Sequence, residues 1–216
     1  MGSTITGNEV LAVSDRDRIV QAMAECCAEV GYQRTTVAAV LERAGVDEER
    51  FASHFTGKED CALAALNKIV SETLARISMA DSRSEPAIDR RKFEGKAILD
   101  LLATRSAFAR LGLVESRQGG TARMHHSYES AARVLALMAE RFDGGDGPPG
   151  RPSVSARAAL GGVEAVVRRE LMANRGERLS QLLPDFVYAV LVPFVGQGEA
   201  LRQARLAARV AAEEGL

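Results

Sequence analysis

Apolar residues recur at every third or fourth position along most of the chain, the spacing of amphipathic helices. From Asp15 onward, Ile19, Met23, Cys26, Cys27 and Val30 share one face, and Gly31 ends the run as a left-handed cap would. A short second helix fits Thr36–Ala44, with Thr35 or Thr36 as its N-cap, and Gly45 makes a turn. A third runs over roughly Asp47–His54, capped by Asp47. "TGKED" breaks and restarts the chain, and Leu63, Leu66, Val70, Leu74 and Ile77 mark a longer fourth helix.

Beyond a linker at "DSRSEP" (Asp81–Pro86), a fifth helix is expected around Ile88–Ala103 and a sixth near Ser106–Arg117, ending at "QGG". Met124, Tyr128, Ala131, Leu135, Met138 and Phe142 mark the seventh, and "DGGDGPPGRP" is the strongest loop signal. The eighth covers about Ser153–Ala173, striped by Leu160, Val163, Val167 and Leu171. The ninth covers about Leu179–Val195, and a charged tail helix follows. No alternating strand pattern of useful length occurs. The expectation is an all-α chain of about nine helices. A flexible arm (1–14) precedes a three-helix helix-turn-helix unit (15–60), and a larger helical bundle (61–216) follows it.

Composition agrees with packed helices: aromatic residues make up 5% of the 216 residues and Trp is absent. A net charge of −1 gives no overall pull toward nucleic acid. The start of the chain lacks a basic region followed by an apolar run, and the most apolar stretch, Phe186–Gly196, is about half a bilayer span. A cytoplasmic protein with no membrane partner is therefore expected. Three cysteines, two of them adjacent, do not make a disulfide framework.

Gly45, between two short helices, permits the sharp backbone change of a helix-turn-helix. Val37, Val40, Val46, Phe51 and Phe55 can lock the crossing. The open face of the third helix then carries Glu48, Glu49, Arg50, Ser53 and His54. The same spacing also fits a three-helix packing element without a DNA role. "GYQRTTVAAVLERAGV" followed by "RFASHFTGKEDCALAAL" resembles the TetR family of bacterial repressors from Asp15 to about Leu66. "LSQLLPDFVYAVLVPFVG" looks like the last bundle helix of many actinobacterial members.

The resemblance implies a homodimer that binds a palindromic operator in double-stranded DNA and releases it when a small molecule enters the bundle. Carried over by position, Thr35 and Thr36 fall at the cap of the second helix, where Thr36 would touch phosphate. Arg50, Ser53 and His54 would face DNA, and Lys58 would hold a phosphate with its ammonium and nearby backbone N–H groups. The chain departs from the family at Ala52, where a phosphate-binding Tyr is usual. It departs again at Leu41, in place of a small residue, and at Ala38, too short for a base contact.

Residues 1–60 carry six bases against eleven acids, a net of −5. Asp47 and its neighbours support the helix terminus by about 0.3–1 kcal/mol each. Glu48 or Glu49 can instead accept a hydrogen bond from a cytosine amine. Either way the acids repel phosphate, so binding off-target is expected to be weak.

The bundle shows no catalytic constellation, and no cofactor is expected. His125 and Glu129 stand at i,i+4 but lack further partners for a metal, so no metal site is expected. Cys26, Cys27 and Cys61 read as buried thiols, with a redox role left open. Leu99, Leu102, Phe108, Leu111, Met124, Tyr128, Leu135, Met138 and Val167 are candidates to line a cavity, or plain core. Glu115, His125, Tyr128 and Arg168 are its polar anchors. The eighth and ninth helices would form the dimer interface through Gly161, Gly162, Phe186, Val190 and Phe194. The function expected is a ligand-responsive repressor. The alternative is a helical ligand-binding or interaction protein whose DNA-binding head is weakened. An enzyme is a more distant reading, and turnover dependent on His125 or Glu129 would reveal it.

Overall fold

Local chemistry accounts for where each N-terminal helix starts and stops. A computed structural model of the chain describes residues 14–81, 87–129, 132 and 154–213. Helix α1 (Asp15–Val30) begins where the Ser14 hydroxyl accepts the Asp17 N–H at 3.1 Å. Its buried face includes Ile19, Met23, Cys26 and Cys27. Val30, expected on that face, is exposed, because the helix ends there and the chain turns away. Gly31 has the positive φ of 82° that a cap glycine provides, but ψ is 154°, so the chain leaves extended instead of curling into a left-handed turn.

Helix α2 (Val37–Ala44) is capped by Thr36, whose Oγ1 accepts the Ala39 N–H at 3.2 Å. Gly45 is left-handed (φ 63°, ψ 43°), and its N–H returns to the last carbonyls of α2. Asp47 caps α3 (Glu48–His54) by accepting the Arg50 N–H at 2.8 Å. Val40, Phe51 and Phe55 are buried and Val37 and Val46 partly so, which is the lock expected around Gly45.

Helix α4 (Lys58–Asp81) leads out of this head to α5 (Ala87–Thr104). Helix α6 (Ser106–Arg110) continues through a π-helical segment, Leu111–Glu115, into the short α7 (Ser116–Gln118). Residues 122–129 form α8, the start of the expected seventh helix; the proposed arm (except Ser14), most of the linker and the "DGGDGPPGRP" loop lie outside the described residues. Helix α9 spans Val154–Met172, a 3-10 turn spans Gly176–Leu182, and α10 runs over Leu183–Glu213 with a kink at Gly196. The last bundle helix and the expected tail are thus joined across that kink. Among the described residues every regular element is helical.

Among the described residues, two apolar clusters hold the fold. The first joins the head to the bundle, packing Ile19, Met23, Phe51 and Leu66 with Leu101, Phe108, Leu111 and Met124. The second packs Leu99, Val167 and Leu171 with Leu179, Val187 and Leu191 of the C-terminal elements. Partly buried Leu102 touches both.

Candidate nucleic-acid interface

The Gly45 turn presents one side of α3 to solvent. Glu48, Glu49, Arg50, Ser53 and His54 are all exposed there, beside exposed Thr36 at the start of α2. Ala38, Ala39 and Ala52 leave this surface low between the longer side chains. The Ser53 hydroxyl donates back to the Arg50 carbonyl at 2.7 Å, leaving its oxygen free to accept. Arg50 is turned toward acids, with Nη1 3.4 Å from Asp15 Oδ2 and Nε 3.9 Å from Asp47 Oδ2. Nothing in the sequence points to the pairing of Asp15 with Arg50, since no local signal marks a contact spanning 35 positions.

Two of the expected DNA contacts are occupied within the chain. Thr35 is 2% exposed and donates its hydroxyl to the Gly31 carbonyl at 2.9 Å, so it shapes the α1–α2 turn and does not reach the surface. The Lys58 ammonium donates to the carbonyls of Tyr32, Gln33 and Thr35 at 3.1, 3.4 and 3.1 Å and lies 4.4 Å from the Tyr32 ring centroid. An ammonium has three hydrogens, and all three are directed at this turn. Lys58 thereby ties the start of α4 to the loop before α2.

The same turn is held from the bundle side. Glu115, at the end of the π-helical segment, accepts the buried Tyr32 N–H at 2.9 Å. Its Oε1 lies 3.9 Å from Arg110 Nε, and Arg110 donates to the Leu171 carbonyl at 2.7 Å. A Cβ on Gly31 would stand 3.2 Å from the Glu115 carboxylate, so the glycine provides room for the contact as well as the positive φ. Gln33 donates to the Gly119 carbonyl at 2.5 Å, and the Thr121 hydroxyl donates to Glu59 at 2.6 Å. Glu115, expected as a pocket anchor, is instead a bond between bundle and head.

The remaining pocket candidates divide between the two clusters. Phe108, Leu111 and Met124 pack into the first, Leu99 and Val167 into the second, and Leu102 lies between. Tyr128 is half-buried on α8, with the Arg117 guanidinium 5.5 Å from its ring centroid and Glu164 of α9 beside it; burial, then Glu164, pushes its hydroxyl above the ordinary tyrosine range. Arg168 is half-buried on α9. His125 is exposed and pairs with Glu129 at 3.1 Å, placing it at the surface and not in a pocket. Leu135 and Met138 lie outside the described residues. A wide cleft of about 940 Å³ between α4 and α8 is lined instead by Leu63, Asn67, Lys68, Arg123, His126 and others. Burial pushes the thiols of Cys27 and Cys61 up to about 11 and about 12, which keeps both in the unreactive protonated form.

On the proposed dimer face, Gly161 and Gly162 are exposed on α9, and a Cβ on either would meet nothing within 4 Å. Phe186 and Val190 face inward in the second cluster. The Phe186 ring lies so close to Gly95 of α5 that a Cβ there would fall 2.5 Å from it. These two residues, expected at the interface, are largely spent within the chain because α5 already fills the groove beside α10. Phe194 is half-buried.

Residues 19–65 match the family model described as "Bacterial regulatory proteins, tetR family". No curated protein matches the chain in sequence. The fold is similar to that of the fatty acid degradation regulator FadR from Bacillus halodurans. The TM-score is 0.68 at 18% identity, over 84% of this chain and 96% of that one. It is also similar to full-length TylP, a TetR regulator from Streptomyces fradiae (0.61, 22%, covering 94% and 97%). FadR from Bacillus subtilis, solved in complex with stearoyl-CoA, gives 0.66 at 18% identity, covering 83% and 97%.

Proposed function

We infer that this chain is a TetR-family transcriptional regulator: a homodimer that represses by binding a palindromic operator and is released by a small, mostly hydrophobic effector. The observation that carries the reading is the exposed face of α3, set beyond the left-handed Gly45 turn within the segment that matches the family model. In this reading residues 15–60 are the DNA head and 61–216 the responding bundle. The head meets DNA through Thr36, Arg50, Ser53 and His54, while Lys58 acts by fixing the α1–α2 turn and leaves any phosphate contact at this terminus to the backbone N–H groups of α4.

Dimerisation through α9 and α10 is supported by the open surface at Gly161 and Gly162, which lets a second helix approach closely. Gly176–Arg209 is long and apolar enough to cross a membrane by length and composition. Only 33% of its most apolar window is buried within one chain, so a second copy would cover much of the rest. The stearoyl-CoA bound by the Bacillus subtilis neighbour makes a long-chain acyl thioester the first effector to test. Effector binding would favour a bundle geometry in which the two recognition helices no longer match successive major grooves, about 34 Å apart.

A second reading, a ligand-binding protein with a weakened DNA head, is favoured by the acids on α3 and by the capture of Arg50 between Asp15 and Asp47. Selection from a random duplex library separates the two. Enrichment of a palindrome supports the regulator, and no enriched motif at low salt supports the weakened head.

A further inference from the structure

Arg50 and His54 stand one helical turn apart on the exposed face of α3. Both lie beside Asp15, the first residue of α1, which bonds Arg18 at 2.6 Å through one carboxylate oxygen and approaches Arg50 at 3.4 Å through the other. The hydrogen bond from Arg18, then the charges of Arg50 and His54, hold the Asp15 carboxyl below its ordinary range. Asp47 stands on the other side of Arg50, but its carboxylate also caps α3. Asp15 therefore occupies a place where phosphate or a base edge would have to displace it.

We propose that Asp15 is a competing counter-ion of the DNA-reading face: it holds the Arg50 guanidinium in the free protein, so any duplex must displace the carboxylate before Arg50 can contact phosphate or a base edge. This rests on the DNA-reading head proposed above. Non-specific DNA offers phosphate alone, while a cognate site adds base contacts. The contact thus weakens every complex that engages Arg50, the operator at least as much as arbitrary DNA. An exposed ion pair of this kind moves an equilibrium by up to about five-fold.

The test measures binding of the full-length dimer to the selected palindrome and to a shuffled duplex of the same composition, across a salt series. Asp15→Asn is expected to tighten binding to the shuffled duplex by about three- to five-fold. It should tighten the palindrome at least as much and steepen the salt dependence by about one phosphate contact. Asp15→Ser, which also suits the first turn of a helix, should behave alike. In an Arg50→Gln background the gain should shrink. Wild-type binding with no gain for either variant overturns the proposal and leaves the DNA-reading head standing. So does an equal gain with and without Arg50, because Asp15 would then act only through net charge. Failure of the wild type to bind any duplex overturns both. A purely structural role in α1 would lower the melting temperature and leave both affinities of the folded protein unchanged.

Discussion

Glu115→Ala is the sharpest test of how the bundle holds the head. The wild-type carboxylate accepts a backbone N–H from Tyr32, a residue 4% exposed, and is itself 8% exposed. A hydrogen bond from a backbone donor to a charged acceptor contributes about 1.5–3 kcal/mol. Truncation also leaves the Tyr32 N–H and the nearby Arg110 Nε, which has no hydrogen-bond partner, facing an apolar methyl. Desolvation of one orphaned group costs about 1–3 kcal/mol, and since the two terms overlap, a loss of about 3 kcal/mol is expected. For a chain of this size that lowers the melting temperature by about 6–12 °C. Glu115→Gln keeps a carbonyl acceptor for Tyr32 and should recover more than half of the loss. Gly31→Ala should be damaging in the wild type, where the new Cβ would stand 3.2 Å from the carboxylate. It should be less so beside Glu115→Ala, where only the cost of positive φ remains. Thermal and urea denaturation of the wild type and the four variants provide the values. A Glu115→Ala loss below about 1 kcal/mol, or Gln as damaging as Ala, would refute the assignment of the stability to this hydrogen bond.

Replacing Glu48 and Glu49 together with Gln should raise affinity for all DNA. A relaxed preference at one operator position, worth about 1–3 kcal/mol, would show that one of them reads a base; binding across single-base operator variants distinguishes these, and weaker binding to every duplex would refute their role against non-specific DNA. Gly161→Arg should dissociate the dimer with helical content retained, since a Cβ at this position meets nothing within 4 Å among the described residues, whereas Phe186→Asp should unfold the packing against α5. Sedimentation and circular dichroism read the two outcomes, and an unaltered Gly161→Arg dimer would exclude this face of α9. Arg175, chiefly through its hydrogen bonds at 2.6 and 3.0 Å, depresses Glu170 from 4.5 to about 2. A depressed carboxyl stabilises the fold above its unfolded value and loses that contribution as pH falls toward the folded one. Arg175→Gln should therefore flatten the decline of urea midpoint between pH 4.5 and 2, and an unchanged slope would remove Glu170 from the acid limb.

What the sequence alone determined about this protein is its local order. Helical periodicity, the cap at Asp47 and the turn at Gly45 depend on bonds between residues three or four apart, so near neighbours suffice to specify them; the choice of Thr36 over Thr35 as the α2 cap needed the structure, where Thr35 is buried in the α1–α2 turn. The exposed face of α3 was legible for the same reason, because burial of Phe51 and Phe55 dictates which side is left over. Tertiary structure decided where the long polar side chains go. Lys58 reaches carbonyls 23 to 26 positions back, Arg50 meets an acid 35 away, and Glu115 finds an N–H 83 away. It also decided that Phe186 fills the space above Gly95 and not a surface patch. An amphipathic pattern states that a face must be covered but not by what. A flexible charged side chain has many partners within reach, and only the packing of the helices brings one of them within bonding distance.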